Sequence, residues 1–377
     1  MIVKRYIEAQ IKQELSLDNS KIIIVYGARQ VGKTTLIESI LSKINKKILK
    51  INGDRLGNNS DISSRDLKKL EAMLTGYDIL FIDEAQRIAE IGINLKIIYD
   101  NIKHIKIIVT GSSALDLSSQ IKEPLTGRKK QFILYPISFL ELRQSLTPYE
   151  LKEYIEERMI FGSYPHLLNI KSKEDRIDYI SQLSEDYLYK DILELENIRY
   201  HQKLRDLLKL IAFQVGSEVS ISELGNHLGL SKDTVSRYID LLEKSFVIFV
   251  LRGFSRNLRK EVNKKPKIYF YDLGIRNAII GNFNYLDNRD DIGALWENFL
   301  IAERIKRNQY MRLHNSMYFW RTYTGAELDY IEEYGGKLYG YEFKWNKTAK
   351  APESWLSNYN AEYNCINKDN FLKFVVE

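Results

Sequence analysis

An apolar run, Lys21-Ile22-Ile23-Ile24-Val25-Tyr26, leads directly into Gly27-Ala28-Arg29-Gln30-Val31-Gly32-Lys33-Thr34. No other stretch restricts the fold of this chain so tightly. Glycine at the first and sixth places lets the backbone turn until several N–H groups point inward. A helix starting near Lys33 aims its positive end at the same spot. The Gly-x4-Gly-Lys-Thr spacing is the Walker A pattern, a loop that cradles phosphate. Within it, Lys33 is placed to reach the β- and γ-phosphates and the Thr34 hydroxyl to coordinate Mg2+. The expected nucleotide-binding set is Gly27, Ala28, Arg29, Gln30, Val31, Gly32, Lys33, Thr34 and Thr35, with ATP and Mg2+ as the implied ligands.

A second run, Asp78-Ile79-Leu80-Phe81-Ile82-Asp83-Glu84, reads as a buried strand ending in two carboxylates. Acids at the tip of such a strand suit a charged ligand. Asp83 is expected to hold the Mg2+ shell, and Glu84 to orient and polarise the attacking water. Thr110-Gly111-Ser112-Ser113 closes a further strand, and two readings stand there. Its hydroxyls, that of Ser112 among them, sense the γ-phosphate or the lytic water, or the segment is a turn with Ser113 as a helix N-cap. Arg128 likewise has two readings: an arginine finger reaching a neighbouring subunit's nucleotide, or a solvated cation beside Lys129 and Lys130.

Between these motifs, short β-rich runs alternate with helical ones. Strands are predicted over 21–26, 47–52, 78–83, 105–110 and 131–134, with helices near 33–42, 66–74 and 88–102. That alternation predicts a parallel sheet with helices on both faces. The 377 residues exceed one ordinary domain. The net charge is +6, which is mild, so the placement of the cations matters more than their sum. Cys365 is the single cysteine, which excludes an internal disulfide framework and fits a reducing, cytoplasmic setting. Residues 1–15 are broken by charges and lack the apolar core of a signal peptide. No stretch has the length of a membrane span.

The runs IIIVYGARQVGKTTLI, DILFIDEAQRI, IIVTGSSALDL and GRKKQFILYPISFLEL resemble AAA-type P-loop ATPases that carry a C-terminal domain of the DUF4143 class. FGSYPHLL, KPKIYFYDLGIRNAI and ALWENFL…ELDYI…YEFKW are similar to the same family, in the same order. The resemblance covers nearly the whole chain. It implies an α/β AAA+ core over 1–145, a helical lid or linker over 146–200, and a winged helix over 201–285. A module related to the PD-(D/E)xK nuclease fold is implied over 286–377.

In the middle region, 222–229 and 231–244 read as helix-turn-helix, with Gly229 at the turn and Ser231 as N-cap. Lys232, Thr234, Ser236 and Arg237 lie on the polar side of the second helix, as a recognition helix requires. Arg252, Arg256, Arg259, Lys260, Lys264, Lys265 and Lys267 follow, a set suited to phosphate contacts. Double-stranded DNA is one expected partner; a protein surface is the alternative.

Alternation places Glu342 and Lys344 on one face of a strand, with Asp329 and Glu327 on a preceding strand. Glu297 stands on the helix before them. Glu297, Asp329 and Glu342 form a candidate Mg2+ set, with Glu342 and Lys344 as candidate catalytic groups for phosphodiester cleavage. The alternative is a retained fold whose ion pairs do no chemistry. The expected activity is Mg2+-dependent ATP hydrolysis coupled to a DNA-directed half, or a nucleotide switch working through protein contacts. A homo-oligomer is a further expectation, because a finger arginine acts between subunits.

Overall fold

The structure, a computed structural model, describes residues 3–55, 61–111, 125–186, 201–256 and 265–377. It divides into two compact units, Lys4–Tyr135 and a second made of Met1–Val3 and Pro136–Glu377.

The first unit is built on five strands: β1 (Ile22–Tyr26), β2 (Ile48–Asn52), β3 (Ile79–Asp83), β4 (Lys106–Gly111) and β5 (Lys129–Ile133). They pair in the order β2-β3-β4-β1-β5, and every pairing is parallel. All five residues of β1 and all five of β3 are buried. Those strands are continuous apolar runs because a parallel sheet is covered on both faces. The order places β1 between two strands that come much later in sequence. Opposite crossovers from a central strand open a crevice at the carboxyl ends, where ligands of such sheets bind. The helices Lys33–Leu41 and Ile91–Asn101 bury Leu36, Ile37 and Ile40, and Leu95 and Ile98. The opening helix, Ile7–Ser16, buries Ile7 and Ile11 in the way their four-residue spacing predicts.

The second unit starts earlier than the sequence expectation of residue 145. Ser138 and Glu141 form a capping box on the short helix Phe139–Leu142. Phe139 N–H donates to the Glu303 carboxylate at 2.7 Å, and its ring meets Phe299 and Phe371 edge-on at 5.1 and 5.8 Å. These partners lie far downstream, so a continuous run of residues is divided by its packing.

Six strands form this unit's sheet: β6 (Ile248–Gly253), β7 (Lys267–Phe270), β8 (Ser316–Arg321), β9 (Glu327–Tyr334), β10 (Lys337–Phe343) and β11 (Ala361–Ile366). Their order is β11-β10-β9-β8-β6-β7. The middle region and the C-terminal module therefore share one sheet. The antiparallel pair β6–β7 continues into β8 through Arg252↔Tyr318 and Gly253↔Phe319. A boundary near 285 cuts across that shared framework. The helix Ile292–Tyr310 lies against it and buries Trp296, Phe299, Leu300 and Ile301. A second apolar cluster joins Trp320, Leu328, Ile331 and Trp355. Among the described residues, no helix is long and apolar enough to cross a membrane.

Candidate functional site: a phosphate loop and a carboxylate pair

β1 ends at Gly27, whose φ of 152° leads the chain out of the sheet. A Cβ there would lie 2.1 Å from the Leu134 carbonyl oxygen, so only glycine fits against the strand end. The loop then passes Gln30 at φ 59° and Gly32 at φ 93°, both left-handed. Gly32 is the N-cap of the helix Lys33–Leu41, which has no side-chain cap bond. Its first N–H groups thus face the loop's concavity with the positive end of the helix behind them. Ala28 and Val31 are buried, Arg29 is half-buried, and Gln30 and Thr35 are exposed. Lys33 is buried, and its Nζ donates to the carbonyls of Gly27 and Ala28, both at 2.9 Å. The ammonium therefore lies inside the loop that is built to hold anionic oxygens.

The tip of β3 faces the same helix. Thr34 Oγ1 donates to both carboxylate oxygens of Asp83 at 3.0 Å. The Thr110 hydroxyl, from β4, also donates to Asp83, and it accepts from Glu84 N–H at 3.3 Å. A hydroxyl and a carboxylate in mutual contact are the donor types that Mg2+ takes, so the residues present fit that ion. Glu84 has a left-handed backbone, φ 50° and ψ 48°, which turns its side chain away from the strand direction. Its carboxylate accepts from Gln86 Nε2 at 2.5 Å. The chain opposite must be glycine: a Cβ at Gly53 would lie 2.3 Å from the Glu84 carbonyl oxygen, and Gly53 N–H donates to Asp83 O at 2.8 Å.

Two contributors carry no sequence signal of their own, Arg5 and Gly53. Arg5 is buried and donates to Val31 O at 2.7 Å and to Tyr135 O, clamping the phosphate loop to the segment after β5. Thr110, from the run whose hydroxyls the sequence offered as sensors, contacts Asp83 and Glu84. Ser112 and Ser113 lie outside the described residues. Arg128 is held in a fork by Asp100, with Nε–Oδ1 at 2.8 Å and Nη2–Oδ2 at 3.0 Å. Hydrogen bonding to Asp100 keeps the guanidinium pKa raised and the Asp100 carboxylate pKa lowered.

In the second unit, the helix Lys232–Lys244 is capped by Ser231, which accepts from Thr234 N–H at 3.1 Å, and Gly229 turns at φ 62°. Lys232 and Arg237 are exposed on the helix Lys232–Lys244, with Thr234 and Ser236 half-buried beside them. Of the downstream cations, Arg252 and Arg256 are exposed, and Lys265 pairs with Glu223 at 3.4 Å. Arg259, Lys260 and Lys264 lie outside the described residues. Lys267 differs from the sequence reading. It is 3% exposed, because β7 is an all-buried strand, and it is closed off from any phosphate backbone.

The structure brings the Lys267 ammonium to two acids, Glu297 at 3.2 Å and Glu327 at 2.7 Å. Tyr269 OH also donates to Glu297, at 2.5 Å. Asp329 accepts from Phe343 N–H at 2.8 Å, and Glu342 pairs with Lys344 at 2.6 Å. Lys344 lies one residue past the end of β10. Burial pushes the Asp329 carboxyl well above its usual range, and the charges of Glu297 and Glu342 push it further. Burial also raises Glu297 against the pull of Lys267. Burial would lower the Lys267 ammonium, but Glu297, Glu327 and Asp329 outweigh it and raise the pKa. Among the described residues, no group of three or more His, Cys, Asp or Glu side chains is arranged to hold a metal ion.

Comparison with known proteins divides the chain into three segments, where the structure has two compact units. Residues 19–143 match the family model described as AAA domain, 152–286 a domain of unknown function, DUF8612, and 292–369 a domain of unknown function, DUF4143. An uncharacterized protein of Mycobacterium bovis is 26% identical over 362 residues, covering 95% of this chain and 77% of the relative. An uncharacterized protein of Methanocaldococcus jannaschii is 24% identical over 338 residues, 84% of this chain and 73% of that one. The Holliday junction branch migration complex subunit RuvB of Acholeplasma laidlawii is 37% identical over 83 residues, 22% of each chain. A solved structure of Thermotoga maritima RuvB, 18% identical, covers 66% of this chain and 89% of its own at a TM-score of 0.34. With the phosphate loop, the strand order and the family match in agreement, residues 19–143 are an AAA-type P-loop ATPase domain, carried on one chain with DUF8612 and DUF4143 domains.

Proposed function

We propose that this protein binds ATP with Mg2+ and hydrolyses it, and that the nucleotide cycle is coupled to a DNA-directed second unit. The observation that carries the first part is the contact of Thr34 with both oxygens of Asp83 beside the buried Lys33 ammonium. Loop N–H groups between Gly27 and Thr34 bind phosphate oxygens. Lys33 exchanges its two carbonyl partners for the β- and γ-phosphates, which offer full negative charge in place of dipoles. Thr34 and Asp83 hold Mg2+, which when bound neutralises charge on the phosphate oxygens. Glu84 leaves Gln86 to orient the attacking water, and Thr110 keeps the Asp83–Glu84 peptide in place.

The DNA-directed part is supported by the helix-turn-helix with exposed Lys232 and Arg237. The likeness of an 83-residue segment to a subunit named for Holliday junction branch migration points the same way. A second reading has its own support: a nucleotide switch that works through protein contacts, with a nuclease-like module that does not cut. The Lys267 ammonium among the carboxylates favours it.

Steady-state ATP hydrolysis with Mg2+, with and without double-stranded DNA, tests the proposal, with Glu84→Gln as control. Turnover that rises with DNA and is silent in Glu84→Gln supports it. Turnover equal in wild type and Glu84→Gln removes Glu84 from the mechanism. Turnover indifferent to DNA leaves the switch.

A further inference from the structure

The carboxylates of the second unit are arranged around a cation that the chain supplies itself. Lys267 reaches them from β7, Glu297 from the helix Ile292–Tyr310, and Glu327 from the start of β9. The ammonium lies 5.4 Å from the centre of the Phe319 ring, so an aromatic face closes one side of it. Glu327 also lies 3.9 Å from the Arg321 guanidinium, which pairs in turn with Glu218 at 3.2 Å. The remaining acids are engaged as well: Asp329 by the backbone of Phe343 and Glu342 by Lys344.

A buried ammonium is costly unless opposing charges and hydrogen bonds surround it. Lys267 has both. A compact point charge with several donors is also the side chain that most resembles a metal ion in its demands on carboxylate oxygens. A divalent cation entering here would have to share the space with that ammonium, and the two would repel without water to screen them.

We propose that Lys267 is the resident cation of this carboxylate set, and that it excludes divalent metal from Glu297, Glu327 and Asp329. The DUF4143 module of this chain is then a platform held together by an ion cluster, and not a metal-dependent nuclease. The cluster ties β7 to β9 and to the helix Ile292–Tyr310: the lysine of the strand and the acids Glu327 and Glu297 neutralise each other. This inference does not depend on the nucleotide site, and its test silences that site.

The experiment is Mn2+ titration of the full chain, read by the electron spin resonance of free Mn2+ and by thermal unfolding. The background is Asp83→Asn, which removes the carboxylate of the nucleotide site. With Lys267 intact, no stoichiometric Mn2+ uptake is expected at micromolar to millimolar ion. Adding Lys267→Met leaves the carboxylates without their cation, and uptake of stoichiometric Mn2+ with a rise in unfolding temperature is expected. Lys267→Arg keeps the charge and stays silent. Stoichiometric uptake with Lys267 intact, lost on Asp329→Asn, overturns the proposal, and this arm stands even where Lys267→Met does not fold. A folded Lys267→Met chain that takes up no Mn2+ overturns it too.

Discussion

The hydroxyl of Thr34 lies 3.0 Å from both carboxylate oxygens of Asp83, across forty-nine residues of chain. The contact joins the first turn of a helix to the tip of a buried strand. Each partner is short and each is held by secondary structure, so the pair is set before any ligand arrives. Thr34→Ala and Asp83→Asn are each expected to lower Mg2+-ATP turnover by roughly 10²–10³-fold, the size seen when one group stabilising transition-state charge is lost. Turnover within a factor of two of wild type in either variant would remove the pair from the chemistry.

Lys33→Ala removes the only side-chain ammonium inside the loop's described residues. ATP affinity, followed with a fluorescent nucleotide, is expected to fall at least about tenfold, the equivalent of one lost charge-assisted bond. Unchanged affinity together with unchanged turnover would contradict the assignment.

Gly53→Ala tests the geometry behind Glu84. The added methyl would press on the Glu84 carbonyl from 2.3 Å, and the backbone there has to shift. Nucleotide binding should persist, because the phosphate loop is untouched. Hydrolysis should fall roughly 10–100-fold, as it does when a catalytic group is displaced by about an ångström. A variant that binds and turns over like wild type would show that the left-handed turn at Glu84 has no part in catalysis.

Asp100→Ala releases Arg128 from its fork. If the guanidinium acts on a neighbouring subunit, turnover per chain should rise more steeply with protein concentration in Asp100→Ala than in wild type. Arg128→Ala should abolish that concentration dependence while leaving thermal unfolding nearly unchanged. Turnover per chain that stays flat with concentration in all three proteins would assign Arg128 to a local ion pair only.

Arg304 and Glu332 form a buried fork in the second unit, at 2.9 and 2.7 Å, with Asn308 and Tyr330 on the same carboxylate. Burial alone would raise the Glu332 pKa, but the bonds from Arg304, Asn308 and Tyr330 hold it below its ordinary 4.5. A depressed acid contributes stability above its unfolded value and loses it as pH falls through the folded one. Arg304→Ala should therefore cost about 3–5 kcal/mol at pH 7. The gap between wild type and Glu332→Gln in denaturant unfolding should shrink as the pH drops below 4.5. A gap that ignores pH would show that the pair is not ionised in the fold.

The candidate nucleotide site was legible as a pattern because its motifs are each continuous in sequence. Gly27 to Thr34 is one loop, and Asp83 and Glu84 end one apolar run, so pattern and chemistry coincide. Arg5 and Gly53 were not legible, and Thr110 was legible only as one hydroxyl of a run, not as the partner of Asp83. Arg5 meets Tyr135 across 130 residues, and a glycine at a strand end is ordinary until its neighbour is known. Lys267 was read as one of a row of cations, yet β7 buries it.

From the sequence alone came the alternating pattern of strands and helices, the phosphate loop with its two acids, and the acids and lysine of the C-terminal strands. Those features are local: backbone conformation and side-chain type at fixed spacing suffice to state them. Tertiary structure decided which charges meet. It joined β6 and β7 to the C-terminal strands, moved Phe139 into the second unit, and set Lys267 among Glu297 and Glu327. Electrostatic partners are chosen by distance in space and by the exclusion of water, and neither quantity is written along the chain.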